Sequence, residues 1–308
     1  MKTVFIVGCG DIGERIATIC RQKKHDQEKI PVFGLVRSAE SVKRLQQAGI
    51  TPVQADLTQM NGRATLSTLQ IAGATVFHLA PPPGEDDTDP LIRQFLAAIP
   101  MDALPEKLVL LSTTAVYGDC HGEWIDETHP VNPQTARGRR RLDAELAVRE
   151  WSAITGVPIV ILRVGGIYGP GRLPIARIKQ GLPILKEAES PFTNRIHQDD
   201  LAQICVAAAE RGKAGEVYNV SDGQPSTMSR YFKDIAQAYG LPVPPEVDLT
   251  EAEKVMSAGM LSYLKESRRL DNRKLVEELG VVLGYPDLET GLANVLVINT
   301  KNSSSMNV

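Results

Sequence analysis

The stretch Pro133–Glu145, PQTARGRRRLDAE, sets four arginines within five positions of a chain whose net charge is −3. Arg137 and Arg141 stand four residues apart on a predicted helix, so both side chains emerge on one face. They form either a solvated basic face or a pair that binds an anion such as a carboxylate or phosphate. Like charges at this spacing cost about 0.2–0.5 kcal/mol. Glu145, four positions further on, is expected to offset that by pairing with Arg141, while Arg139 and Arg140 point to solvent. A guanidinium keeps its proton at any working pH, so these residues orient charge and do not act as general acid or base.

A second chemical pattern opens the chain. TVFIVGCGDIGERI places Gly8, Gly10 and Gly13 after a β-branched run and at the start of a helical stretch. Gly8 permits a tight turn, Gly10 lets a pyrophosphate approach the backbone, and Gly13 lets the helix close on the strand. The N–H groups from Cys9 through Asp11 and Ile12 lie at the helix N-terminus, where the dipole favours an anion. The spacing is weak in isolation, and an ordinary strand–helix turn is the alternative; its place at the first strand gives it weight. An acid at the end of the second strand serves the ribose 2′-OH of NAD. Here that strand ends GLVRS, where Arg37 and Ser38 suit a 2′-phosphate or, alternatively, simply begin a solvated helix. NADP is therefore the expected cofactor, with NAD as the alternative.

These loops need a scaffold. Seven apolar runs, KTVFIVG, IPVFGLV, TPVQA, ATVFHLA, KLVLLST, VPIVILRV and EVYNV, alternate with amphipathic stretches such as DIGERIATICRQ and AESVKRLQQAG. That pattern predicts an α/β fold, a Rossmann-type doubly wound parallel sheet covered on both faces. From about Tyr168 the sequence becomes Gly- and Pro-punctuated and then helical, which predicts a smaller C-terminal substrate lobe. The expected division is 1–163 and 198–224 for the sheet domain, 164–197 and 225–296 for the lobe, and 297–308 as a flexible tail. Apolar runs are too short to span a bilayer, and the near-neutral charge argues against nucleic acid as a partner. Four cysteines without CxxC spacing predict reduced thiols, no metal site and a cytoplasmic protein.

In order along the chain, VQADL, FHLAPPP, LLSTTAVYGD, LRVGGIYGPGR, NRIHQDDLA and EVYNVSDGQP resemble the extended short-chain dehydrogenase/reductase family, that of NAD-dependent epimerases and dehydratases of sugar nucleotides. The likeness runs from about Lys2 to Leu292. It implies that Asp56 and Leu57 flank the adenine, that Leu79, Ala80 and Pro81 line the cofactor path with Val164, and that Thr113 bonds the reacting oxygen. It also implies a substrate lobe carrying Tyr168, Arg172 and Arg195, a small-molecule substrate and a homodimer. The family's Tyr-x-x-x-Lys motif falls on Arg137 and Arg141, so this chain departs from it where the proton is moved. Tyr117 is the first substitute for the missing phenol, with Tyr168, His78, His121 and His197 behind it. His197 is otherwise expected to anchor the loop before a helix capped by Asp199 and Asp200. The resulting expectation is an NADP-linked oxidoreductase or epimerase-like enzyme with altered catalytic residues, the alternative being a non-catalytic NADP-binding sensor or scaffold. An ordinary epimerase needs a tyrosine this helix lacks.

Overall fold

All seven apolar runs become strands of one parallel sheet: β1 (Val4–Val7), β2 (Val32–Val36), β3 (Thr51–Gln54), β4 (Thr75–His78), β5 (Lys107–Thr113), β6 (Ile159–Val164) and β7 (Val217–Val220). The computed structural model describes residues 1–25, 27–59, 71–84 and 86–295, so the tail expected at 297–308 lies outside the described residues. Strand order is β7-β6-β5-β4-β1-β2-β3. β1 pairs with β2 on one side and β4 on the other, which makes it the switch point where an open α/β sheet binds ligands at its carboxyl edge.

Side chains alternate across the sheet. Val4 and Ile6 of β1 join one core with Ile12 and Ile16 of helix α1 (Asp11–Gln22), while Phe5 and Val7 join the opposite core. Both faces are apolar, so the strands read as continuous hydrophobic runs. Helix α2 (Ala39–Gln47) follows β2, and α3 (Pro90–Ala98) and α4 (Ala136–Thr155) cover the second face through Ile92, Phe95, Ala144 and Val148. Helix α5 (Gln198–Arg211) packs beside α1 on the first face. A separate cluster of Ile178, Ile184, Phe232, Ile235 and Leu292 contains no residue of the sheet and forms the smaller C-terminal lobe. That lobe includes α6 (Met228–Ala238) and α7 (Ala258–Leu264).

The start of α4 is fixed tightly. Thr135 caps it by accepting the Gly138 N–H. A Cβ at Gly138 would stand 2.5 Å from the Ala115 carbonyl oxygen, so glycine lets the arginine-rich turn lie directly on the loop after β5. No helix among the described residues is long and apolar enough to cross a membrane.

Candidate functional site

The loop after β1 forms one wall of a cavity of about 410 Å³. Gly8, Cys9, Gly10, Arg37, Ser38, Asp56, Leu57, Ala80 and Pro81 all line it, drawn from the carboxyl ends of four strands. Gly8 has φ +78°, and a Cβ there would meet the Ala80 backbone at 2.7 Å. Gly10 differs: a Cβ there would meet nothing within 4 Å, because the cavity lies over it. Gly10 also begins α1 with no side-chain cap, so the first N–H groups of the helix are left for a ligand. Cys9, Ile12 and Gly13 are buried and pack the loop; a Cβ at Gly13 would meet Cys9 Sγ at 3.0 Å. An open space above bare helix N–H groups fits a dinucleotide pyrophosphate.

At the far end of this cavity, Ser38 caps α2 by accepting the Ser41 N–H, and its Oγ donates to Ser41 Oγ at 2.9 Å. Arg37 is exposed on the lining and contributes to holding the Asp56 carboxyl below the usual range. The larger causes there are the N–H and hydroxyl that Thr58 donates to Asp56. Ser41 and Arg44 also line the cavity and were not picked out from the sequence. Arg44 donates to Glu14 Oε1 at 2.5 Å and to the Cys9 carbonyl at 3.3 Å, which ties α2 to the glycine loop. Asp11, named with the glycine loop, is not in this lining and accepts from both Arg15 and Arg172.

A second cavity of about 380 Å³ lies at the carboxyl ends of β5 and β6. Thr113, Arg137, Arg172 and Arg195 line it, and so does Val164, which the resemblance had assigned to the cofactor path; Asn194, Tyr263, Glu266 and Arg268, which sequence reasoning missed, join them. The described lining thus holds four arginines and one carboxylate, Glu266. Arg137 stands half-buried, donating to Ser262 Oγ at 3.0 Å and to Glu266 Oε2 at 3.2 Å, with its guanidinium 3.8 Å from the Tyr263 ring centre. Arg268 also donates to Glu266 Oε2, at 2.9 Å, and Thr135 to its Oε1 at 3.0 Å. Arg195 is half-buried over the Tyr231 ring at 4.1 Å. Burial lowers the Arg195 guanidinium from its ordinary value, opposed by Tyr231 and Asp222.

Arg141 is in the lining of neither cavity. It donates to the Ala80 carbonyl at 3.3 Å, and burial lowers its guanidinium, with Asp89 and Glu145 opposing. His78 is buried beside it; burial first, and then the charge of Arg141, lowers the imidazole to about 3, so it stays neutral. Arg139 and Arg140 are not simply solvated: Arg139 pairs with Asp87 at 2.8 Å, and Arg140 donates to the Asp86 carbonyl at 2.7 Å. Both fasten α4 to the loop that follows β4.

The expected Glu145–Arg141 pair is replaced by a deeper one. Glu145 is turned inward, accepting from Ser112 Oγ at 2.6 Å and from Arg163 Nη2 at 2.8 Å. Arg163, on β6, outcompetes Arg141 because it meets the carboxylate with two donors inside the core. Its guanidinium lies 4.7 Å from the Tyr117 ring centre. Tyr117 is consequently a core residue, its hydroxyl donating to Asn219 Oδ1 at 2.7 Å and its phenol raised to about 12 by burial. It does not reach the cleft. Tyr168 is also buried, donating to the Asp287 carbonyl at 3.1 Å, and so lies outside the cavity it was expected to line. His121 is exposed and pairs with Asp119. His197 itself caps α5 by accepting the Asp199 N–H, while Asp200 accepts N–H groups from Gly284 and Tyr285.

Behind Arg195, Asp222 is buried and its carboxyl is pushed up from 3.8 to about 7 by that burial, against the Gln224 N–H bond and the Arg195 charge. Its native value exceeds its unfolded one, so between these pH values the unfolded chain ionises while the native chain keeps the proton. The Asp222 contribution to stability therefore falls as pH rises through that window. Asp222→Asn is expected to flatten the urea midpoint measured at about pH 5 and about pH 7.5. An unchanged slope between the two pH values contradicts it.

Comparison with known proteins agrees with this geometry. The sequence profile described as the NAD dependent epimerase/dehydratase family matches residues 4–221. "Protein YeeZ" of Escherichia coli K12 is 25% identical over 293 residues, 93% of this chain and 97% of the relative. The solved structure of a functionally unknown conserved protein from Silicibacter pomeroyi superposes with a TM-score of 0.78 at 30% identity, covering 97% of this chain and 99% of that one. UDP-glucuronic acid 4-epimerase from Bacillus cereus, in complex with UDP-glucuronic acid and NAD, shares the fold with a TM-score of 0.73 at 19% identity, covering 94% and 96%. With the glycine loop, the parallel sheet and a match across more than half its length, this chain belongs to the NAD-dependent epimerase/dehydratase family.

Proposed function

We propose that this protein is an NADP-linked oxidoreductase or epimerase-like enzyme whose small-molecule substrate carries a carboxylate or phosphate. The observation that carries this reading is the second cavity, whose described lining holds Arg137, Arg172, Arg195 and Arg268 against a single carboxylate, Glu266, with Thr113 at the strand end. Glu266 pairs with Arg137 and Arg268, and Arg172 with Asp11 outside the lining. Charge of one sign concentrated in a cleft favours an anionic ligand. The proposed division of labour assigns the dinucleotide to residues 1–163 and 198–224 and the substrate to residues 164–197 and 225–296.

Bound dinucleotide supplies hydride transfer; the chain supplies position and electrostatics. Gly8 and Gly10 admit the pyrophosphate, and Thr113 Oγ1 offers a hydrogen bond to the reacting oxygen. Arg141, held on the Ala80 carbonyl, takes the lysine's place toward the ribose as a fixed fork of donors. The test is NADPH consumption against carbonyl compounds with and without an anionic group, and against nucleotide sugars. Turnover confined to anionic members is expected; binding of the cofactor with no reaction across the panel overturns the reading.

NADP preference rests on Arg37 and Ser38 at a strand end without an acid. Removing a hydrogen bond to a charged group costs about 1.5–3 kcal/mol. Arg37→Ala is expected to weaken NADPH roughly ten- to a hundredfold while leaving NADH affinity within about twofold. Equal losses for the two dinucleotides in a fluorescence titration remove this assignment.

A further inference from the structure

Resting on the dinucleotide-linked reading above, we propose that Tyr263 is the proton-transferring residue of this site: the phenol missing from α4 reaches the same cavity from α7. Tyr263 is 51% exposed and lines the cavity together with Thr113 and Arg137. Tyr117 and Tyr168 have their hydroxyls committed to Asn219 and to the Asp287 carbonyl, inside the protein. Glu266, the carboxylate of the lining, is buried and already accepts from Thr135, Arg137 and Arg268. Tyr263 is therefore the phenol of this described lining, and it is open to a ligand.

Arg137 explains how the substitution is built. By the resemblance it falls at the position of the family's tyrosine, yet its guanidinium lies over the Tyr263 ring, 3.8 Å from the ring centre, and donates to Ser262 Oγ at 3.0 Å. One α4 side chain thus clamps the first lobe to the second and brings a phenol where its own position lacks one.

In the reductive direction the substrate's carbonyl carbon accepts a hydride from the dihydronicotinamide as the C=O π bond breaks. The carbonyl oxygen takes the proton from Tyr263 Oη. The products are an alcohol, the oxidised dinucleotide and a phenolate, which regains its proton from water.

Nitration with tetranitromethane, mapped by peptide mass, tests the placement without needing a substrate. Tyr263 is expected to react first. NADP⁺ at ten times its Kd, with binding followed by protein fluorescence in the same samples, is expected to slow that reaction about tenfold. On any carbonyl compound that the protein reduces, Tyr263→Phe is expected to keep dinucleotide affinity within about twofold and lose about 10²–10⁴ in kcat. Bound NADP⁺ that leaves the nitration rate unchanged, or a Tyr263→Phe variant with undiminished turnover, overturns the proposal. Failure of the dinucleotide to bind at all instead removes the functional reading and this proposal with it.

Discussion

Replacing Glu145 with alanine is expected to cost about 3–5 kcal/mol of stability, a large part of what a domain has. The side chain is 2% exposed and pairs with Arg163, itself 7% exposed, through Nη2 at 2.8 Å and Nε at 3.2 Å, while also accepting from Ser112. Truncation leaves a guanidinium buried against Tyr117 without its carboxylate, and the penalty of an unpaired buried charge exceeds the worth of the pair itself. Urea denaturation measures the loss. Glu145→Ala combined with Arg163→Met is expected to recover part of it, since the double variant strands no charge. A single-variant loss under about 1 kcal/mol contradicts this account of how α4 is anchored.

Gly10→Val is expected to separate folding from binding. A Cβ there meets nothing within 4 Å, and the residue has φ −93°, which valine adopts. Loss of a favourable helix-start residue costs about 1 kcal/mol or less. The new side chain nevertheless fills the space over the helix N–H groups where a pyrophosphate must approach. Dinucleotide affinity is expected to fall at least about a hundredfold, equivalent to about 2.7 kcal/mol. Gly8→Val behaves differently, since φ +78° and the Ala80 backbone at 2.7 Å damage the fold itself. A Gly10→Val protein that binds as well as the parent places the cofactor elsewhere.

The sheet was legible because each strand is a short apolar run bounded by turn residues, and a strand buried on both faces needs nothing more than that. The glycine loop was legible because backbone geometry, not tertiary context, demands glycine at fixed offsets. Side-chain partners were not. Glu145 and Arg141 satisfy helical spacing, yet Arg163 arrives from another strand with a better geometry. Tyr117 lies on the 3-10 turn Thr114–Tyr117, so its distance of four residues from Thr113 does not set which way its ring points. The contacts of Arg137 with Ser262, Tyr263 and Glu266 span more than a hundred residues and leave no local pattern. These are the contacts that decide what the cleft can do, and only packing of the lobe against α4 creates them.

A dinucleotide on the glycine loop, its reactive end toward the arginine-bearing face of α4, is the proposal to check first, by calorimetric titration of the purified protein with NADPH and NADH. Saturable binding of one dinucleotide per chain, tighter for NADPH and lost in Gly10→Val, is the predicted result. Absence of binding by both dinucleotides contradicts the claim.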